Sequence, residues 1–92
     1  MGINRLVVTD HNYSARHLYV IRVPANQHLR LFITLRNEEI GVNLHYIPVH
    51  LQPYYRKLGF EEGNFPESEA HGREAISLPL HPCLSEEEQD YI

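Results

Sequence analysis

Gly41–Tyr55 reads GVNLHYIPVHLQPYY, and the way this stretch folds decides how the rest of the chain is arranged. Its first half, Val42 to Ile47, has the composition of a strand. Pro48 lacks a backbone donor and fixes its own φ, so it takes the chain out of a sheet. Beyond it a short helix fits Gln52–Leu58, with Gly59 as its stop signal. His45, Tyr46, His50, Gln52, Tyr54 and Tyr55 are thereby bunched where a strand gives way to a helix. Strand ends carrying His and Tyr are places where α/β proteins bind ligands. The same bunching also fits a polar strand terminus whose rings pack on a neighbour, and side-chain chemistry alone favours that plainer alternative.

Upstream, HLYVIRV at His17–Val23 is rich in β-branched and aromatic residues and is apolar on both faces, which predicts an interior strand closed by Pro24. Asn26 is the predicted N-cap of a helix over Gln27–Glu39. Leu29, Phe32, Ile33 and Ile40 form one stripe at helical spacing that should face the sheet, widened by Leu31 and Leu35. In the first fourteen residues Leu6–Thr9 offers a short strand, followed by turn chemistry at Asp10-His11-Asn12. Downstream, Glu61–Pro66 reads as a loop, Glu67–Glu74 as a short helix and Ala75–Leu78 as a strand ended by Pro79. Ser85-Glu86-Glu87-Glu88 matches a capping box, with Ser85 capping and Glu88 three residues on. The capped helix has barely two turns, which predicts a natural chain that continues.

The resulting order is strand, helix, strand, helix, helix, strand, helix. It predicts an α/β or α+β domain in which helices pack on a small, few-stranded sheet. A helix between the first two strands permits a parallel crossover and leaves an antiparallel arrangement open.

Composition narrows the function. With 92 residues and 42% apolar content the chain makes one small domain with a modest core. A net charge of −4 provides no basic footprint for nucleic acid. No apolar run is long enough to cross a bilayer, no secretory leader is visible, and a lone Cys83 fits a reducing cytoplasm. Phosphate-loop, paired-cysteine and Gly-x-Ser-x-Gly motifs do not occur. His45, His50 and the tyrosines can exchange protons near neutrality, but no carboxylate lies beside them in sequence to orient an imidazole. His45, His50, His71 and His81 lack the spacing of paired zinc ligands, so no metal is expected. Lys57, beside Arg56 on a helical turn, reads as a solvated charge rather than a lysine primed for covalent cofactor chemistry.

Taken together, HLYVIRV (His17–Val23), GVNLHYIPVHLQPYYRKLGF (Gly41–Phe60), FPESE (Phe65–Glu69), AISLPL (Ala75–Leu80) and LSEEEQDYI (Leu84–Ile92) resemble the C-terminal small domain of the pyridoxal-phosphate-dependent sugar-nucleotide aminotransferases, the fold type I enzymes of the DegT/DnrJ/StrS kind. The flavour is that of the transaminase of pseudaminic acid biosynthesis, with perosamine synthase and spore-coat polysaccharide enzymes as cousins. The resemblance covers residues 14–92 and leaves 1–13 as an unassigned lead.

The resemblance implies that a large N-terminal domain, absent from this chain, carries the Schiff-base lysine and the phosphate cup. It implies a nucleotide-linked 4-keto-6-deoxy sugar as substrate, glutamate as amino donor, a homo-oligomer with its cleft at the subunit interface, and no activity for this chain alone. His45, Tyr46 and His50 would be the residues nearest cofactor and sugar. His45 should reach the ligand, with Tyr46 packing on the opposite face and His50 on the rim. Two positions depart from the family pattern. Glu39 stands where a Gly usually precedes the Ile-Gly pair after the first helix, so that helix is expected to end differently. Gly72 stands where a bulkier residue is common, which bears on the packing of that turn. The alternative, from another class, is an autonomous α/β module that binds a small ligand or a protein and catalyses nothing.

Overall fold

Ala75-Ile76-Ser77-Leu78 is the best-buried run in the chain, and the other elements are placed by what they lay against it. The computed structural model describes residues 2–92. Its elements are β1 (Asn4–Arg5), β2 (Tyr19–Arg22), α1 (Ala25–Asn37), a 3₁₀ turn (Val49–Leu51), α2 (Pro53–Lys57), α3 (Pro66–Glu74), β3 (Ala75–Leu78) and α4 (Glu86–Tyr91). The sheet is antiparallel throughout, in the order β1-β2-β3, with Ile21 opposite Ile76 and Arg22 opposite Ala75. The fold is thus a small sheet with helices on it, and the pair expected on either side of the first helix does not form, because β2 pairs with β1 and β3 instead. Ile21, Val23, Ile40, Val42 and Ile76 make the core, with Leu31, Phe32, Leu35, Leu78 and Ile92 packed around it.

Four sequence expectations are corrected. Val42–Ile47 is no strand: only Asn43 bridges to β3, exchanging backbone bonds with Ser77 at 3.1 and 2.8 Å. Val42 is consumed by the core and the chain then turns off the sheet edge, leaving Leu44 and Ile47 exposed despite their composition. The helix stripe is rotated. Leu29 and Ile33 face outward (67% and 49% exposed), while Leu31, Phe32 and Leu35 face inward. Phe32 belongs to both stripes, and His28 decides between them through a 2.9 Å bond from its Nε2 to the Ala75 carbonyl. Asn26 lies inside α1, whose cap position is Pro24, so no side chain caps it. Leu6–Thr9 forms no strand. The first pairing is instead Asn4–Arg5 with Ile21 and Arg22, followed by a turn at Thr9–Asn12 closed by a 3.0 Å backbone bond.

α1 also ends in the ordinary way. Glu39 N–H donates to Arg36 O (3.1 Å) and Ile40 N–H to Leu35 O (2.9 Å), the paired bonds of a Schellman stop. Glu39 takes the left-handed conformation, φ +62, in the position where that motif prefers glycine. α3 runs unbroken through Gly72, and the Ser85–Glu88 capping box is present in both directions. Arg22 is paired with Glu74, tying β2 to the end of α3.

The accessible surface is 7563 Å² for 10.8 kDa. A compact monomer of that mass exposes about 5,500 Å², so roughly 2,000 Å² more lies open than the fold of a free-standing domain requires. Leu6, Val7, Val8, Tyr13, Leu29, Ile33 and the 44–49 segment supply much of the apolar part of it.

Candidate functional site

Once Asn43 has paired with Ser77, the chain needs a new support, and His45, two residues on, provides it. His45 Nδ1 lies 2.8 Å from Ser77 Oγ, and Ser77 is only 4% exposed. The Tyr46 ring stands edge-on to the His45 ring with centroids 4.6 Å apart, and Tyr46 itself is 74% exposed. The two residues therefore share one side, which corrects the expectation of opposite faces. That expectation needed a pleated strand, and no ladder exists here. Pro48 then seats on α3 at Gly72, where a Cβ would lie 3.0 Å from both Pro48 Cγ and Cδ. Gln52 closes the bend by donating to the Ile47 carbonyl at 3.1 Å.

Between the 44–48 segment, Leu51 and the face of α3 carrying Glu69, Gly72 and Arg73 lies a cleft of ≈ 370 Å³. His45 and Tyr46 line it. His50 does not: it is 7% exposed, turned beneath the wall, with Nε2 3.4 Å from Glu69 Oε2 and its ring edge-on to Phe65 at 4.9 Å. The geometry of that Nε2 makes no hydrogen bond. Of the three residues singled out in the sequence, the structure brings two together and places the third in the interior rather than on the rim. The Pro48–Val49 step into the 3₁₀ turn swings the next side chain inward, where Phe65 and Glu69 receive it.

Sequence reasoning missed Glu69. Its carboxylate accepts from Gly63 N–H (2.8 and 3.1 Å) and Phe65 N–H (3.2 Å). The Gly63 bond is the main reason its carboxyl sits below the ordinary value of 4.5; burial works against this, and Phe65 and His50 add to it. A Glu shortly after a Phe-Pro helix start is a legible sign of a side chain reaching back to free amides. Its third neighbour, His50, is distant in sequence.

A tyrosine hydroxyl, an anchored imidazole, one guanidinium (Arg73) and two carboxylates (Glu62, Glu69) suit a polar ligand offering hydroxyl groups. They do not suit pyridoxal phosphate, which needs a lysine and a cationic or amide-lined cup for its phosphate. Lys57 is exposed on α2, outside the cleft lining. Among the described residues no three of His, Cys, Asp or Glu are grouped so as to hold a metal ion.

The family model described as the DegT/DnrJ/EryC1/StrS aminotransferase family matches residues 2–92. The chain belongs to that family. Within it, the chain is 41% identical to the pleiotropic regulatory protein of Geobacillus stearothermophilus, over 99% of this chain and 25% of that protein. It is 33% identical to the dTDP-3-amino-3,4,6-trideoxy-alpha-D-glucose transaminase of Micromonospora megalomicea subsp. nigra, over 99% of this chain and 24% of that enzyme. Among solved structures it superposes with a TM-score of 0.83 on Spr1654 of Streptococcus pneumoniae, described as a sugar aminotransferase. That match has 37% identity and covers 98% of this chain and 24% of Spr1654, which is known in apo, PLP and PMP forms. The chain thus spans about a quarter of the length of the family members it matches. No helix among the described residues is long and apolar enough to cross a membrane.

Proposed function

We propose that this chain is the C-terminal small domain, residues 14–92 with a short lead, of an aminotransferase that aminates a nucleotide-linked keto-deoxy sugar. The observation that carries the proposal is the fit of 98% of the chain onto one quarter of Spr1654. The roughly 2,000 Å² of surplus surface supports it as well, and argues against a self-sufficient binding module. The large domain of the whole enzyme would hold pyridoxal phosphate, which supplies the electron sink for moving an amino group when bound. This chain contributes a wall of the substrate cleft. Tyr46, 74% exposed on that wall, reaches the sugar in place of His45, which is anchored on Ser77 and fixes Tyr46; and His50 braces the wall from beneath. Glutamate as amino donor, a homo-oligomeric enzyme, a cytoplasmic setting and a product destined for a surface glycan complete the proposal. Relatives named for 3-amino deoxyhexoses favour amination at C3 over the C4 chemistry of the pseudaminic acid resemblance.

Grafting this chain in place of the quarter of Spr1654 that it matches tests the proposal. The chimera should bind pyridoxal phosphate and transfer the amino group of glutamate to a dTDP-linked keto sugar. The 92-residue chain alone, treated with cofactor and borohydride, should carry no pyridoxyl group on Lys57. A soluble chimera that loads cofactor but aminates no nucleotide sugar sinks the assignment.

A further inference from the structure

The wall that presents His45 and Tyr46 has almost no apolar support of its own: Tyr46, Ile47 and Val49 are 74%, 64% and 64% exposed. Something other than hydrophobic burial therefore keeps it in place. Besides the His45–Ser77 contact from β3, two attachments reach it from one face of α3, three residues apart. Gly72 receives the Pro48 ring. Glu69, 9% exposed, lies 3.4 Å from buried His50 and also takes the amides of Gly63 and Phe65.

We propose that Glu69 is the positioning residue of the cleft, its single carboxylate tying the Gly63–Phe65 loop and the Pro48–His50 wall to α3 and so fixing where His45 and Tyr46 stand. A buried carboxylate is costly unless its lone pairs are filled. Here the Gly63 and Phe65 amides supply the hydrogen bonds, and the His50 imidazole lies 3.4 Å away as a close polar contact, so releasing the loop leaves a desolvated charge and releasing the wall strips that charge of its nearest imidazole. The loop and the wall thus stay closed together. Gly63 takes φ +94, a conformation that turns its N–H toward the carboxylate at little steric cost. That the cleft receives a nucleotide sugar rests on the function proposed above; the positioning does not.

Amide hydrogen exchange of the 92-residue chain, followed by NMR, reads the two ideas separately. In Glu69→Ala the Gly63 and Phe65 amides should exchange at least tenfold faster, and the contact between the His45 and Tyr46 rings should weaken. The β2–β3 ladder should keep its rates, and Glu69→Gln, with one acceptor oxygen left, should fall between. If Glu69→Ala does not fold, an acid titration of the wild-type chain decides. The carboxyl is held below 4.5, so protection at Gly63 and Phe65 should persist through the ordinary carboxylate range and fail as pH falls through the lowered value, before the ladder opens. His45, Tyr46, His50, Glu62 and Arg73 are the other charged or titratable groups sharing this site, and Glu62→Gln should leave the profile in place. Unchanged exchange at Gly63 and Phe65 in both variants, or loss only together with the ladder, overturns the positioning role. Adding dTDP-glucose to the wild-type chain tests the other idea. A shift of the Tyr46 ring signals supports a nucleotide-sugar subsite, and no shift at millimolar ligand counts against that function while the exchange data still judge Glu69.

Discussion

Two neighbouring regions of this molecule are held by different physics. Around β3, Ile21, Val23, Ile40, Val42 and Ile76 exclude water from one another, and each such side chain contributes about 1.5–3 kcal/mol through burial. Across α3, the 44–51 wall leaves most of its apolar atoms in solvent. It is fixed by a proline ring on a glycine, an imidazole on a serine hydroxyl, and a carboxylate shared among a loop and a histidine. The core makes the domain; the directional contacts make the cleft. The comparison predicts that core substitutions change how much protein is folded, while wall substitutions change what the folded protein presents.

Ile76→Ala should give the largest effect. Ile76 is fully buried opposite Ile21, and truncating such a residue costs about 2–5 kcal/mol. A small domain with a stability of roughly 5–15 kcal/mol or less would lose much of it, visible as a fall in the urea midpoint. A loss below about 1 kcal/mol would mean that β3 is not the centre of the core.

Gly72→Ala probes the wall, and its sign separates the two regions. In an exposed helix interior, Gly→Ala gains up to about 1 kcal/mol. Here the added methyl meets the Pro48 ring at 3.0 Å, and overpacking costs about 1–3 kcal/mol. A net loss of about 1 kcal/mol follows, with Tyr46 displaced while the β2–β3 ladder is kept. A gain in stability with Tyr46 unmoved would show that the wall yields freely. Ser77→Ala should cost a similar or smaller amount, about 1 kcal/mol, because it strips His45 Nδ1 of its partner. Its sharper signature is a freed Tyr46 ring, read from the loss of the contact between the His45 and Tyr46 rings.

What could be read from the sequence divides along the same line. β2, α3, β3 and the Ser85–Glu88 box were legible because their signals are local: β-branched runs, helix starts, a cap with its reciprocal Glu. The face of α1 was not, since two stripes share Phe32 and the deciding bond runs from His28 to Ala75, 47 residues away. Val42–Ile47 has strand composition, yet β3 offers it only one bridging position before His45 turns to Ser77. In the cleft, His45 and Tyr46 were legible by type. The inward turn of His50 was not, because it depends on Glu69 and Phe65 arriving from another part of the chain.

The smallest predicted effect runs in the opposite direction, toward greater stability. Glu39 closes α1 with φ +62, and both of its stop bonds are intact, so the left-handed backbone is required by the fold rather than incidental. A side chain in that conformation costs roughly 1–2 kcal/mol, while glycine gives back about 0.5–1 kcal/mol through the extra freedom of the unfolded chain. Glu39→Gly should therefore raise stability by about 0.5–1 kcal/mol. Removing a negative charge from a chain of net charge −4 would help as well, so Glu39→Ala is the needed control: it loses the same charge and keeps the strained Cβ. A higher melting temperature for the glycine variant than for the alanine variant assigns the gain to backbone conformation. Equal melting temperatures for the two would assign it to charge, and would mean that Ile40 is held in the core firmly enough for the stop to carry no strain of its own.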